Sequence, residues 1–92
     1  ALAIAGMENF PVFRKTILEG AAPVMDTDAV GAEIGAAAAA MTDGQPLDAL
    51  LLECTDLSVF ARTVQEAVSV PVYDINSLIA YAAFCVRRNQ WV

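Results

Sequence analysis

Short apolar runs alternate along this chain with stretches of helical period, and turn residues separate them. Residues 1–5 are all apolar, with no polar position to mark a solvent face, and predict a fully buried strand. Gly6, Met7, Glu8 and Asn9 form the loop at its carboxyl end. Phe10, Phe13, Ile17 and Leu18 then recur at helical spacing, with Pro11 acceptable in the first turn and Gly20 ending the segment. After Pro23, Asp26 or Thr27 is positioned to cap a second helix running through Val30, Ile34 and Met41. Its alanines at 36–40 favour helix and let it lie close to a sheet. Gly44 and Pro46 stop it.

Residues 48–53 predict a strand covered on both faces, because four consecutive positions from Ala49 to Leu52 are apolar. A helix over 58–68 follows from Val59, Phe60, Val64 and Val68. Residues 71–75 predict a short strand with Pro71 at its first position, where no ladder donor is lost. Asn76 or Ser77 caps a last helix carrying Leu78, Ile79, Tyr81 and Val86. Arg87 and Arg88 suit its C-terminal dipole, and Trp91 near the chain end suggests docking on another lobe or subunit. This order implies an α/β fold with a parallel sheet and right-handed crossovers, so ligands belong at the carboxyl ends of the strands, near residues 6–9, 54–56 and 74–77.

Cys54 is the chemistry-bearing residue at such an end. It follows Leu50, Leu51, Leu52 and Glu53 and precedes Thr55 and Asp56, where a strand turns into a helix. A thiol facing a helix N-terminus has a physical reason to ionise and react. The amides of Thr55 and Asp56 are placed to hold a carboxylate, with the Thr55 hydroxyl as a further donor, although helix capping alone also accounts for both residue types. Cys85, among Ala82, Ala83, Phe84 and Val86, reads as core packing, and so do Phe10, Phe13, Phe60 and Phe84. Asp74 is equally suited to orienting site groups or to satisfying backbone amides before the last helix, and Glu8 reads as a solvated carboxylate.

Composition narrows the function. Five Lys and Arg against eleven Asp and Glu give a net charge of -6 with no basic stripe, which argues against nucleic-acid binding. Two cysteines without any histidine make neither a zinc site nor a disulfide framework, and a reducing cytoplasm fits best. No segment reaches the length of a membrane span. The chain is 58% hydrophobic and starts inside an apolar run without a methionine, so it is expected to be a piece of a larger protein whose apolar surface meets a partner or a further lobe. A homodimer is expected only as the commonest state of soluble enzymes.

Leu51 to Leu57, the amphipathic helix that follows, and then Pro71, Val72, Tyr73, Asp74 and Ile75 resemble the C-terminal half of the aspartate/glutamate racemase superfamily. Gly6, Met7, Glu8 and the phenylalanine-containing helix resemble an earlier segment of the same lobe. The resemblance covers nearly the whole chain and is most specific from Leu50 to Tyr81. It implies that residues 1–92 are a C-terminal lobe of three-layer α/β/α parallel-sheet architecture, belonging to a two-lobed protein whose N-terminal lobe is missing here. It also implies an isomerase of amino-acid metabolism, a cofactor-independent racemase with no metal, in which Cys54 is the second of two acid/base thiols and the first lies in the other lobe. The substrate is then a small carboxylate, with Thr55 and Asp56 in its binding site, and the fragment alone has little or no activity. Hydantoin racemases, maleate isomerases and arylmalonate decarboxylases share the superfamily, and a non-catalytic carboxylate-binding protein on the same scaffold is the alternative from another class. The sequence departs from familiar racemases at Glu53, where many carry glycine, and at Asp56, where glutamate racemases often carry histidine and aspartate racemases glutamate. Substrate identity is therefore not carried over.

The chemistry explains why two thiols would serve. An α-proton is weakly acidic, so racemisation without a cofactor needs a base on one face of the carbon, an acid on the other, and stabilisation of the developing charge. An unperturbed thiol, with a pKa of about 8.5, is suited to both roles.

Overall fold

The structure, a computed structural model, describes residues 2–87. Pro11 opens α1 (Pro11–Phe13), where its missing N–H is no loss and its fixed φ suits a first turn. The helix widens at once into a π-helical segment, Arg14–Leu18, closed by the Glu19 amide donating to the Arg14 carbonyl at 2.9 Å. Gly20 ends it in the left-handed region at φ 61°, a conformation that costs glycine little. The predicted first helix is thus present, but mostly with π rather than α winding.

Asp26 caps α2 (Thr27–Met41) by accepting the Ala29 amide at 3.0 Å, as one of the two expected caps. Glu33, half-buried on α2, accepts the Val12 and Phe13 amides at 3.0 and 2.6 Å and so caps α1 from a distance. The chain then enters β1 (Leu50–Leu51), a 3-10 helix (Thr55–Phe60) that runs directly into α3 (Ala61–Val68), β2 (Val72–Tyr73) and α4 (Ile75–Val86).

The strands pair in parallel, with Leu50 opposite Val72 and Leu51 opposite Tyr73. The Leu50 amide donates to the Pro71 carbonyl at 2.9 Å and the Leu52 amide to the Tyr73 carbonyl at 2.8 Å. Leu50 and Leu52 point into a core with Val30 and Ile34 of α2 and Val64 and Val68 of α3; Phe13 and Phe60 complete its aromatic part. Gly31 and Gly35 face the start of α3 at a spacing that would accept a methyl: a Cβ at Gly31 would sit 3.5 Å from the Phe60 ring, and one at Gly35 would sit 3.5 Å from the Thr63 methyl.

This mostly helical chain with a two-stranded sheet corrects the expected three-layer α/β/α lobe. Such a lobe needs strands covered on both faces. Here the alternation along β1 is that of a half-buried strand: Leu50 and Leu52 are buried, whereas Leu51 is 69% exposed. Of the apolar run expected as the first strand, residues 2–5 pair with no strand, and Leu2 and Ile4 lie 86% and 87% exposed. Apolar content raises strand propensity, but a strand forms only against a neighbour's backbone.

The last helix is corrected too. It starts at Ile75 with Asp74 as its cap, not Asn76 or Ser77, and none of its residues is buried. Cys85 and Phe84 are consequently exposed, not core. Arg88 and Trp91 lie outside the described residues.

Candidate functional site

Cys54 is the last extended residue after β1, at φ -78° and ψ 130°, and the 3-10 helix begins immediately beyond it. The first bond of that helix runs from the Leu57 amide to the Cys54 carbonyl at 3.0 Å, so the amides of Thr55 and Asp56 precede the intrahelical ladder. The half-buried thiol lies 3.9 Å from an Asp56 carboxylate oxygen, to which it donates a weak hydrogen bond. Thr55 and Asp56 are exposed, and neither supplies a side-chain cap to the 3-10 helix. Cys54, Thr55 and Asp56 therefore form one cluster at the strand end. One turn further on, the Ser58 hydroxyl is buried with no hydrogen-bond partner among the described residues.

The second strand brings Asp74 to the same end of the sheet, but its carboxylate is committed. It accepts the Ser77 amide at 2.7 Å while the Ser77 hydroxyl accepts the Asp74 amide at 2.9 Å, a reciprocal capping box at the start of α4. The capping reading of Asp74 accounts for its position.

Beside these strand ends, a groove of about 510 Å³ lies between the outer face of the sheet and α4, bordered by Leu51, Glu53, Tyr73, Leu78 and Tyr81. Cys54 is not part of its lining. Reading the strands as buried on both faces hid Leu51 and Tyr73 from view; strict alternation along β2 is the signal that places Tyr73 outward. A second groove, of about 520 Å³, follows the glycine face of α2 against α3 and contains no cysteine.

Among the described residues, no group of three or more His, Cys, Asp or Glu is arranged to hold a metal ion, and no helix is long and apolar enough to cross a membrane. Both cysteines are free thiols, and Cys85 lies exposed on α4, not at the strand end. No protein-family model matches the chain, and comparison with curated proteins and with solved structures gave no match.

Proposed function

We propose that this chain is part of a cofactor-independent, racemase-like isomerase acting on a small carboxylate, an amino acid or a close relative, with Cys54 as an acid/base thiol. The observation that carries the reading is the Cys54 thiol 3.9 Å from the Asp56 carboxylate, at the point where β1 turns into a helix. In this scheme the Cys54 thiol passes its proton to the Asp56 carboxylate as its sulfur removes the α-proton, and the electron pair of the C–H bond delocalises toward the adjacent carboxylate. An acid on the opposite face then returns a proton to carbon. The Thr55 and Asp56 amides hold the substrate carboxylate, and the Asp56 side chain orients the thiol. Glu53, exposed on the adjoining groove, favours a substrate bearing an ammonium over one with a second carboxylate. The acid on the opposite face comes from outside this cluster.

The test is α-proton exchange in deuterated water, followed by NMR, for the full-length protein that contains both lobes and its Cys54→Ser variant, with amino acids, hydantoins and small diacids. Exchange that disappears in Cys54→Ser supports proton transfer at carbon and identifies the substrate class. Absence of exchange with every compound overturns the racemase reading and leaves isomerisation or decarboxylation by a single thiol, and after these a binding protein for small carboxylates.

A further inference from the structure

The groove on the outer side of the sheet brings carboxylates and aromatic rings together with no cation to answer them. Burial alternates along residues 50–53, so Glu53 stands on the same outward face as Leu51. Leu51 is paired with Tyr73, which makes Glu53 and Tyr73 diagonal neighbours on that face, close enough for long side chains to meet one ligand. Leu78 and Tyr81, one turn apart on α4, line the opposite wall. The Asp74 carboxylate, 7% exposed and with one oxygen accepting the Ser77 amide, lines the same groove. Glu53 makes no hydrogen bond or ion pair to any described residue, and neither Lys nor Arg lines the groove.

Charge complementarity selects the occupant. An anion entering the groove meets two carboxylates, and a neutral molecule gains nothing from either. A bare metal ion lacks a third ligand, since no group of three His, Cys, Asp or Glu is arranged to hold one among the described residues. An ammonium is attracted by the Glu53 carboxylate and by the negative faces of both phenol rings, and the net charge of -6 adds to the attraction at longer range. The volume of about 510 Å³ suits a small molecule, and Leu51, Ile75 and Leu78 supply an apolar wall for its body. We propose that this groove binds a small organic cation, an ammonium carried on an apolar body, with its charge at Glu53, Tyr73 and Tyr81. Cys54 does not line the groove, so binding requires neither the thiol nor turnover.

The experiment titrates the full-length protein, followed by NMR, with three probes of similar size and different charge: 2-phenylethylammonium, 2-phenylethanol and 3-phenylpropionate. The ammonium is expected to bind about 10-fold more tightly than the alcohol, to shift the Tyr73 and Tyr81 ring resonances, and to weaken as salt is added. The carboxylate is expected to bind least. Glu53→Gln weakens the ammonium about 3-fold and removes most of its salt dependence. Tyr73→Leu and Tyr81→Leu, which keep an apolar side chain, each weaken it about 3-fold. All three positions are exposed, so circular dichroism of the variants is expected to stay that of the wild type. Cys54→Ser binds the ammonium as the wild type does, which separates this site from the proton-transfer chemistry whatever the outcome of the exchange experiment. Equal binding of the alcohol, preference for the carboxylate, or no binding at millimolar concentration overturns the proposal. So do ring shifts confined to other residues, and wild-type affinity in all of the Glu53 and tyrosine variants.

Discussion

The Phe13 amide donates to the Glu33 carboxylate at 2.6 Å, across twenty positions of sequence. Glu33 takes the Val12 amide with its other oxygen, so one side chain of α2 satisfies two of the free donors at the start of α1. Phe13 is thereby held where its ring fills the core beside Val30 and Ile34. Glu33→Ala removes both acceptors and is expected to destabilise the chain by about 1–3 kcal/mol. Glu33→Gln keeps one carbonyl acceptor and is expected to cost less. Urea denaturation of the two variants measures the order, and equal losses would remove the capping role.

Gly31 faces Phe60 with room to spare. A Cβ there meets the ring at 3.5 Å, an ordinary contact, so Gly31→Ala adds helix propensity without a clash. The expected gain is about 0.5–1 kcal/mol. A fall in the thermal midpoint would mean that the approach of α2 to α3 is tighter than this spacing indicates.

Asp74 and Ser77 cap each other, each side chain accepting the other residue's backbone amide. Asp74→Ala is expected to cost about 1 kcal/mol. A double-mutant cycle with Ser77→Ala is expected to show a coupling of about 0.5 kcal/mol or more. No loss of stability in either single variant would contradict the reciprocal box.

Ser58 buries a hydroxyl that has no partner among the described residues. Replacing it with alanine removes an unsatisfied polar group from the interior, and Ser58→Ala is expected to be neutral or stabilising by up to about 1 kcal/mol. Clear destabilisation would show that the hydroxyl is satisfied in solution by an ordered water.

Local interactions made much of this molecule legible in its sequence. The Asp26 cap and the stop at Gly20 follow from residue types and short-range periodicity, and so does the turn from strand to helix that puts Cys54, Thr55 and Asp56 together. Which apolar residues have partners was not legible, because burial depends on what packs across from a residue and not on its own hydrophobicity. Residues 2–5 and α4 read as core by composition and stand exposed, while Leu50 and Leu52 are buried by α2 and α3 and Leu51 between them is not. The polar contact that ties Glu33 to the start of α1 belongs to the same class. The sequence by itself determined where the chain turns, caps and places its thiol; only the tertiary structure decided which faces meet, since that requires two distant segments to fit each other.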